Sequence, residues 1–386
     1  MTGTFGRPLR SLWRLGEGAF LNHGSFGACP LDVIAVHDAL RAEMEAQPDV
    51  FFREKIIPRD GGTPLRAGAQ ALADFVGADE IAFVENATSG IQAVLNNFPL
   101  ARGEAVLVTN QTYNAMRLMA GAWCEARGAE LRTVKIPLGA NDDEIVAAFT
   151  AACRPEVKLA IVDLITLPTA LLMPLARIIA ALKARGARVA VDGAHAVGQI
   201  PLNLAQLGAD WYVSNAHKWL YAPRGTAFLY AGPDVRGMTK PHIVSHFIGL
   251  GYPRAFDYIG TRDYTGWMAV PAALAFIGKL GPEALWAHER GVIAHTTTAL
   301  AKVGIAPVGG VRAPAMCAFV LPQQRPAVAD DAAQVMHSLW REARVQIAAS
   351  VLDEKLLLRV SAQAYVDAAD ITQLCDGLAR LGWPGR

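Results

Sequence analysis

The chain is poor in cysteine, balanced in charge and without any long unbroken apolar run. Its 386 residues include five cysteines, Cys29, Cys124, Cys153, Cys317 and Cys375, scattered and with no C-x-x-C spacing. That pattern excludes a disulfide framework and a thiolate zinc site; it reads as reduced thiols in a cytoplasmic protein with no bound metal. Lys and Arg number 36 against 35 for Asp and Glu, a formal net charge of +1. Such a balance provides no electrostatic footprint for nucleic acid or an anionic membrane, and neither is expected as a partner. The greasiest stretch, LAIVDLITLPTALLMPLARIIAALKARG from Leu159, is interrupted by Asp163, Pro168 and Pro174. A membrane helix needs about 20 uninterrupted apolar residues, so a buried strand, a loop and an amphipathic helix are expected there instead. The first twenty residues hold no continuous apolar segment, and no signal peptide is expected. Repeats and low-complexity tracts are missing. So is a G-x-G-x-x-G turn after the first strand, which argues against a dinucleotide-dependent oxidoreductase.

What is present is a core-rich chain, 52% hydrophobic and long enough for two domains. A Gly/Pro-rich loop, NHGSFGACP, precedes a helical pattern from Leu31. From Pro64 onward helices alternate with short apolar strands: EIAFVEN, EAVLVTN, AELRTVKIP, KLAIVDLI, RVAVDGAH, ADWYVSN and GTAFLYAG. That alternation predicts an α/β fold with a mostly parallel sheet and helices on both faces. In ATSGIQAVLNNF, Thr88 and Ser89 are expected to cap a helix. After IGTRDYTGW, at about Met268, the texture changes to a long helix followed by the strands MCAFVLP and KLLLRVSA and two further helices. The expected organisation is an N-terminal segment, 1–58, packing on a smaller α+β domain, 268–386, with the large domain spanning 59–267.

Sheets of this kind bind ligands at the carboxyl ends of their strands, and four polar groups fall there. Thr88 and Ser89 open a helix after a strand, where free N–H groups and the helix dipole favour a phosphate; an ordinary cap would look the same. Asp192 ends an all-apolar strand and needs a positive partner, a protonated ring nitrogen or an arginine. Lys218, in SNAHKWLYAP, has apolar company that would free its amine as a nucleophile, unless its head simply reaches water. Tyr113 could present a flat face to a ring or sit in the core. A phosphate site, an acid, an aromatic face and an amine together meet the requirements of pyridoxal 5′-phosphate.

The stretches LNHGSFGACP, FFRE, ENATSGIQAVLNNFPLARGEAVL, VDGAHAVGQIPLNLAQLGADWYVSNAHKWLYAPRGTAFLY and IGTRDYTGW resemble the class V aminotransferase group of fold-type I pyridoxal-phosphate enzymes, its isopenicillin N epimerase-like branch above all. The resemblance runs over nearly the whole chain. It implies that Lys218 forms the Schiff base with the cofactor and that Asp192 keeps the pyridine nitrogen protonated. It places His195 near the ring's phenolic oxygen and Tyr113 on the ring. Thr88, Ser89, Asn215 and His217 would bind the phosphate, and Thr261 would reach the phosphate of a neighbouring subunit in a homodimer with shared sites. Arg359 would clamp a substrate carboxylate, with Asn22 and His23 lining the substrate mouth. The implied activity acts on an amino acid through an external aldimine, as an epimerase or racemase. The alternatives are a C–S β-elimination lyase, an aminotransferase, or a pyridoxal-phosphate-binding scaffold without turnover.

Two departures narrow this reading. Leu164 and Leu167 stand where the branch shows a histidine and a serine. The segment RVQIAASVLDEKLLLRV, before and through Arg359, carries no mobile-loop cysteine of the kind a desulfurase needs. Cys317, in PAMCAFVL, is expected in the core.

Overall fold

The computed structural model describes residues 4–58 and 60–383. Along the chain, the first elements are β1 (Ala19–Phe20), α1 (His23–Phe26), α2 (Leu31–Ala46), α3 (Pro48–Lys55) and α4 (Pro64–Phe75). Next come β2 (Ala82–Val84), α5 (Ala87–Asn97), β3 (Ala105–Thr109), α6 (Asn114–Glu125), β4 (Glu130–Val134) and α7 (Asp142–Ala152). β5 (Val157–Asp163), α8 (Leu175–Lys183), β6 (Arg188–Asp192), α9 (Leu204–Leu207), β7 (Trp211–Ser214) and β8 (Ala227–Ala231) complete the larger unit. The remainder is α10 (Thr265–Met268), α11 (Val270–Leu280), α12 (Pro282–Ala301), β9 (Ala306–Pro307), β10 (Met316–Val320), α13 (Ala329–Ala343), β11 (Val345–Gln346), β12 (Ala348–Leu352), β13 (Lys355–Ser361) and α14 (Ala368–Arg380).

Seven strands form the main sheet in the order β2-β8-β7-β6-β5-β3-β4. Only β8 runs against the others. β5 and β6 are almost wholly apolar because both faces of a parallel sheet are covered. Alternate residues serve opposite cores: Leu159 and Ile161 of β5 face α5 and α6, while Ala160 and Val162 face the side of α7 and α8. In α8 the apolar residues Leu175, Ile178, Ile179 and Leu182 recur at helical spacing, and all are buried.

The start of α5 differs from the expectation. Its N-cap is Asn86, whose side chain accepts from the Ser89 N–H at 2.9 Å, and Ser89 returns a bond to the Asn86 N–H. Thr88 and Ser89 therefore lie inside the first turn, and a reciprocal capping box orders them. The long helix expected after Met268 is broken into α10–α11 and α12, which meet at 71°. Gly281, at φ 78°, turns the chain, and Pro282 restarts the helix at its first position. No single helix among the described residues is long and apolar enough to cross a membrane.

The smaller sheet runs β12-β13-β10-β9, antiparallel throughout, and Cys317 is fully buried in β10. β1 pairs in parallel with β11, Ala19 opposite Val345, which ties the N-terminal segment to this unit. We propose retaining the three-part division drawn above; residue 59, at its first boundary, lies outside the described residues.

The N-terminal segment also seats the lysine loop. Gly27 has φ 62°, and a Cβ there would come within 2.0 Å of the His217 carbonyl oxygen. Gly27→Ala is expected to destabilise the fold by at least about 2 kcal/mol and to loosen cofactor retention, since both contacting groups are backbone and neither can yield. Thermal unfolding alongside a cofactor titration checks this; an unchanged melting temperature would refute it.

Candidate active site

The carboxyl ends of β3, β5, β6 and β7 and the start of α5 surround a cavity of about 700 Å³. Thr88, Ser89, Tyr113, Asp192, His195, Asn215, His217 and Lys218 all line it. The α5 N-terminus opens here, and Asn215 Oδ1 accepts from the Ala87 N–H at 2.8 Å, locking the helix start to the lysine loop. Tyr113 is the residue before α6, lines the cavity and is 42% exposed.

Lys218 is buried, and its amine makes no ion pair among the described residues. Burial lowers its pKa to about 8, with Asp192 opposing that shift and Arg359 adding to it. Its Nζ lies 3.5 Å from His195 Nε2. The Trp219 indole N–H reaches His195 Nδ1 at 3.5 Å, so one ring nitrogen faces the indole and the other the amine. Burial and the charges of Lys218 and Arg359 keep this ring neutral. His217 donates through Nδ1 to the Thr226 carbonyl at 2.9 Å; burial, then the Lys218 charge, lower its pKa to about 4. Asp192 Oδ1 accepts from the Ala194 N–H at 2.9 Å, and burial raises its pKa.

A neutral amine is the nucleophile. Its attachment to added pyridoxal phosphate in cofactor-free protein should therefore quicken as pH rises toward 8 and level off above it. Stopped-flow absorbance across pH reads this; a midpoint near the ordinary lysine value would contradict it.

His23 does not line the mouth. It is fully buried, donating from Nε2 to the Lys218 carbonyl at 2.9 Å and accepting at Nδ1 from the Tyr365 hydroxyl at 2.8 Å. Burial lowers its pKa to about 4, and its work is to hold the lysine loop from the core side. Asn22, half-buried, is also not among the lining residues and accepts from Ser25 Oγ at 2.6 Å. The residues of this loop that do line the cavity are Ser25 and Phe26.

Arg359 comes from β13 of the smaller unit and is 2% exposed. It donates to the Leu167 carbonyl at 2.8 Å and Ser25 Oγ at 2.9 Å, with Asn22 Oδ1 at 3.4 Å. Its Nε has no partner, and no carboxylate pairs with it among the described residues. It is not itself a lining residue, but Ser25 and Leu167 are, so its positive charge stands one layer behind the wall. Burial lowers its pKa to about 10. Thr261 lies outside this cavity, its hydroxyl 3.2 Å from that of Tyr258. Leu164 packs into the core.

Sequence reasoning missed Asp163, Met116, Met119, Ile165 and His242 on the walls. Asp163 carried the same signal that singled out Asp192, a carboxylate closing an apolar strand. The others have no local signature.

These residues fit pyridoxal phosphate. A helix N-terminus and an adjacent amide suit a phosphate, a buried amine with no ion pair among the described residues suits an aldehyde, and a buried carboxylate likewise without an ion pair suits a ring N–H. Together with the sheet topology they define a fold-type I pyridoxal-phosphate protein. Residues 65–374 match the family model "Aminotransferase class-V", and the chain belongs to that family, whose cofactor is pyridoxal 5′-phosphate. An isopenicillin N epimerase from Streptomyces clavuligerus is 31% identical over 94% of both chains. A putative L-cysteine desulfhydrase from Oryza sativa subsp. japonica is 33% identical over 68% of this chain, a match spanning 57% of that protein. Among solved structures, the apo cysteine desulfurase of Thermococcus onnurineus NA1 superposes with a TM-score of 0.80 at 18% identity, covering 98% of each chain, a likeness of fold.

Proposed function

We propose that this protein is an enzyme that inverts the α-centre of an amino acid or amino-acid-derived compound, by removing and returning the Cα proton. The observation that carries the reading is a buried Lys218 amine with pKa about 8 and no ion-pair partner among the described residues, in a cavity backed by Arg359, whose Nε is without a partner. The end-to-end likeness to an isopenicillin N epimerase supports inversion as the outcome.

Pyridoxal phosphate, when bound, supplies the electron sink that makes the Cα proton acidic. The chain's own residues do the rest. Lys218 takes the proton, because a neutral amine near pH 8 is a general base at working pH. Asp192 would hold a proton on the cofactor's ring nitrogen. The Thr88 N–H, the Thr88 and Ser89 hydroxyls and the Asn215 Nδ2 would anchor the phosphate, His217 would join them by taking a second proton on Nε2 beside the anion, since its Nδ1 proton is given to Thr226, and Tyr113 would cover the ring. Arg359, swinging Nε and one Nη toward the cavity, holds the substrate carboxylate. The working unit in this reading is a homodimer in which Thr261 completes the neighbouring phosphate site.

A second reading, C–S β-elimination, draws on the cysteine desulfhydrase relatives. Among the described residues no cysteine lines the cavity, which counts against a persulfide-carrying step in either case.

The deciding experiment incubates the loaded protein with L- and D-amino acids, sulfur-containing ones included, in D2O. Inversion with deuterium at Cα supports the proposal. Release of sulfide, ammonia and a keto acid replaces it with the lyase reading, and amino-group transfer with an aminotransferase. No change in the cofactor's absorbance with any compound leaves only a binding scaffold.

A further inference from the structure

β5 and β6 are parallel neighbours, and their last residues, Asp163 and Asp192, stand directly opposite each other. Strand alternation puts both on the face covered by α5 and α6, and both line the cavity. Strands in a sheet lie about 4.8 Å apart, so the two carboxyls are close neighbours. They are 3% and 4% exposed, and neither is ion-paired among the described residues.

Two carboxylates this close in a buried site do not both ionise. The groups around them decide which keeps the proton. Lys218 lends its positive charge to Asp192, which also accepts from the Ala194 N–H. Asp163 ends β5, one strand further along the sheet from the Lys218 loop, which follows β7. The Thr112 hydroxyl donates to Asp163 Oδ2 at 3.0 Å, and the Tyr113 amide also favours its anion. Burial and the Asp192 charge outweigh both, and the Asp163 pKa stands well above the ordinary range. His195 is neutral, and the Tyr212 hydroxyl, held protonated by burial, carries no charge toward the pair.

We propose that Asp163 is a positioning residue, kept as a neutral carboxylic acid that donates from Oδ1 to Asp192, so that Asp192 is the single oriented anion offered to the cofactor's ring nitrogen. With Oδ2 engaged by Thr112, the proton is left on Oδ1. The ligand-facing half of the inference rests on this cavity holding pyridoxal phosphate; the proton itself does not.

Infrared difference spectra of cofactor-free protein at neutral pH test the proton directly. Wild type minus Asp163→Asn should show one protonated-carboxyl band; Glu289, the other deeply buried acid kept neutral, cancels because both proteins contain it. Thr112→Val should move that band without abolishing it. A difference spectrum with a carboxylate band and no acid band overturns the proposal, whatever the enzyme's reaction proves to be.

A second measurement follows the loaded protein. Asn is neutral and can donate, so Asp163→Asn should leave the pH midpoint of the bound cofactor's absorbance within about 0.3 units and its affinity within about threefold. Asp163→Val, which cannot donate, should weaken cofactor binding about tenfold or more. A midpoint moved by about a unit in Asp163→Asn would mean that a charge was removed, and unchanged binding in Asp163→Val would mean that nothing was being positioned; either overturns the role.

Discussion

Lys218→Ala should lower turnover by about 10⁴-fold or more, the upper range for removal of a general base, while the protein still takes up pyridoxal phosphate without a covalent link. The split follows from how the site is built. The phosphate would be held by the Thr88 N–H at the start of α5, by the Thr88 and Ser89 hydroxyls and by Asn215 and His217, none of which depends on the lysine amine. Asn215 is locked to α5 through the Ala87 N–H, and His217 is held by its bond to the Thr226 carbonyl. The lysine backbone is secured separately, by the bond from His23 Nε2 to its carbonyl. Truncating the side chain therefore removes the amine and leaves the loop in place. Gel filtration with cofactor absorbance reads retention, and rate measurement reads turnover. A variant with substantial activity would eliminate Lys218 as base and nucleophile, and one that no longer retains cofactor would mean the covalent link is the main hold.

Arg359→Ala is the second large effect. It should raise KM for any amino-acid substrate about 100-fold or more and change kcat by less than about tenfold, because a bidentate charged hydrogen bond of some 3 kcal/mol made to an unreacting carboxylate is uniform binding. Arg359→Lys should recover little of this, since an ammonium lacks the planar fork. The substitution also leaves the Leu167 carbonyl and Ser25 without their donor, so unfolding must be measured beside the kinetics. Esterified substrates give the discriminating control: they lack the carboxylate charge and should be nearly indifferent to the change. Equal losses on acid and ester would reduce Arg359 to a structural brace between β13, the α1 loop and the loop after β5.

The architecture was legible to different depths. Strands such as RVAVD and KLAIVD announce themselves because a sheet covered on both faces admits only apolar residues, and the polar residue that ends each run marks its carboxyl end. The short pairings β1–β11 and β9–β10 were not legible, since two residues carry no periodicity. The break between α11 and α12 was passed over although Gly281-Pro282 marks it, because the apolar pattern continues on both sides. In the site, Asp192 and Lys218, singled out by their place at or just after strand ends, do line the cavity. His23 was misplaced because a loop side chain has no period to say which way it points; it turned into the core, where Tyr365 and the Lys218 carbonyl satisfy both nitrogens.

What the sequence by itself determined is the alternation of strand and helix and the placing of an acid, an amine and a helix start at strand ends. These are local facts, set by burial pattern and capping within a few residues. Only the tertiary structure decided which of them meet. The register of β5 on β6 sets Asp163 opposite Asp192, and a slip of one residue would turn Asp163 to the other face. The packing of the smaller unit brings Arg359 onto Ser25 and Leu167, residues separated by hundreds of positions. Register and packing are long-range properties, fixed by the fit of whole faces, and no window of the chain contains them.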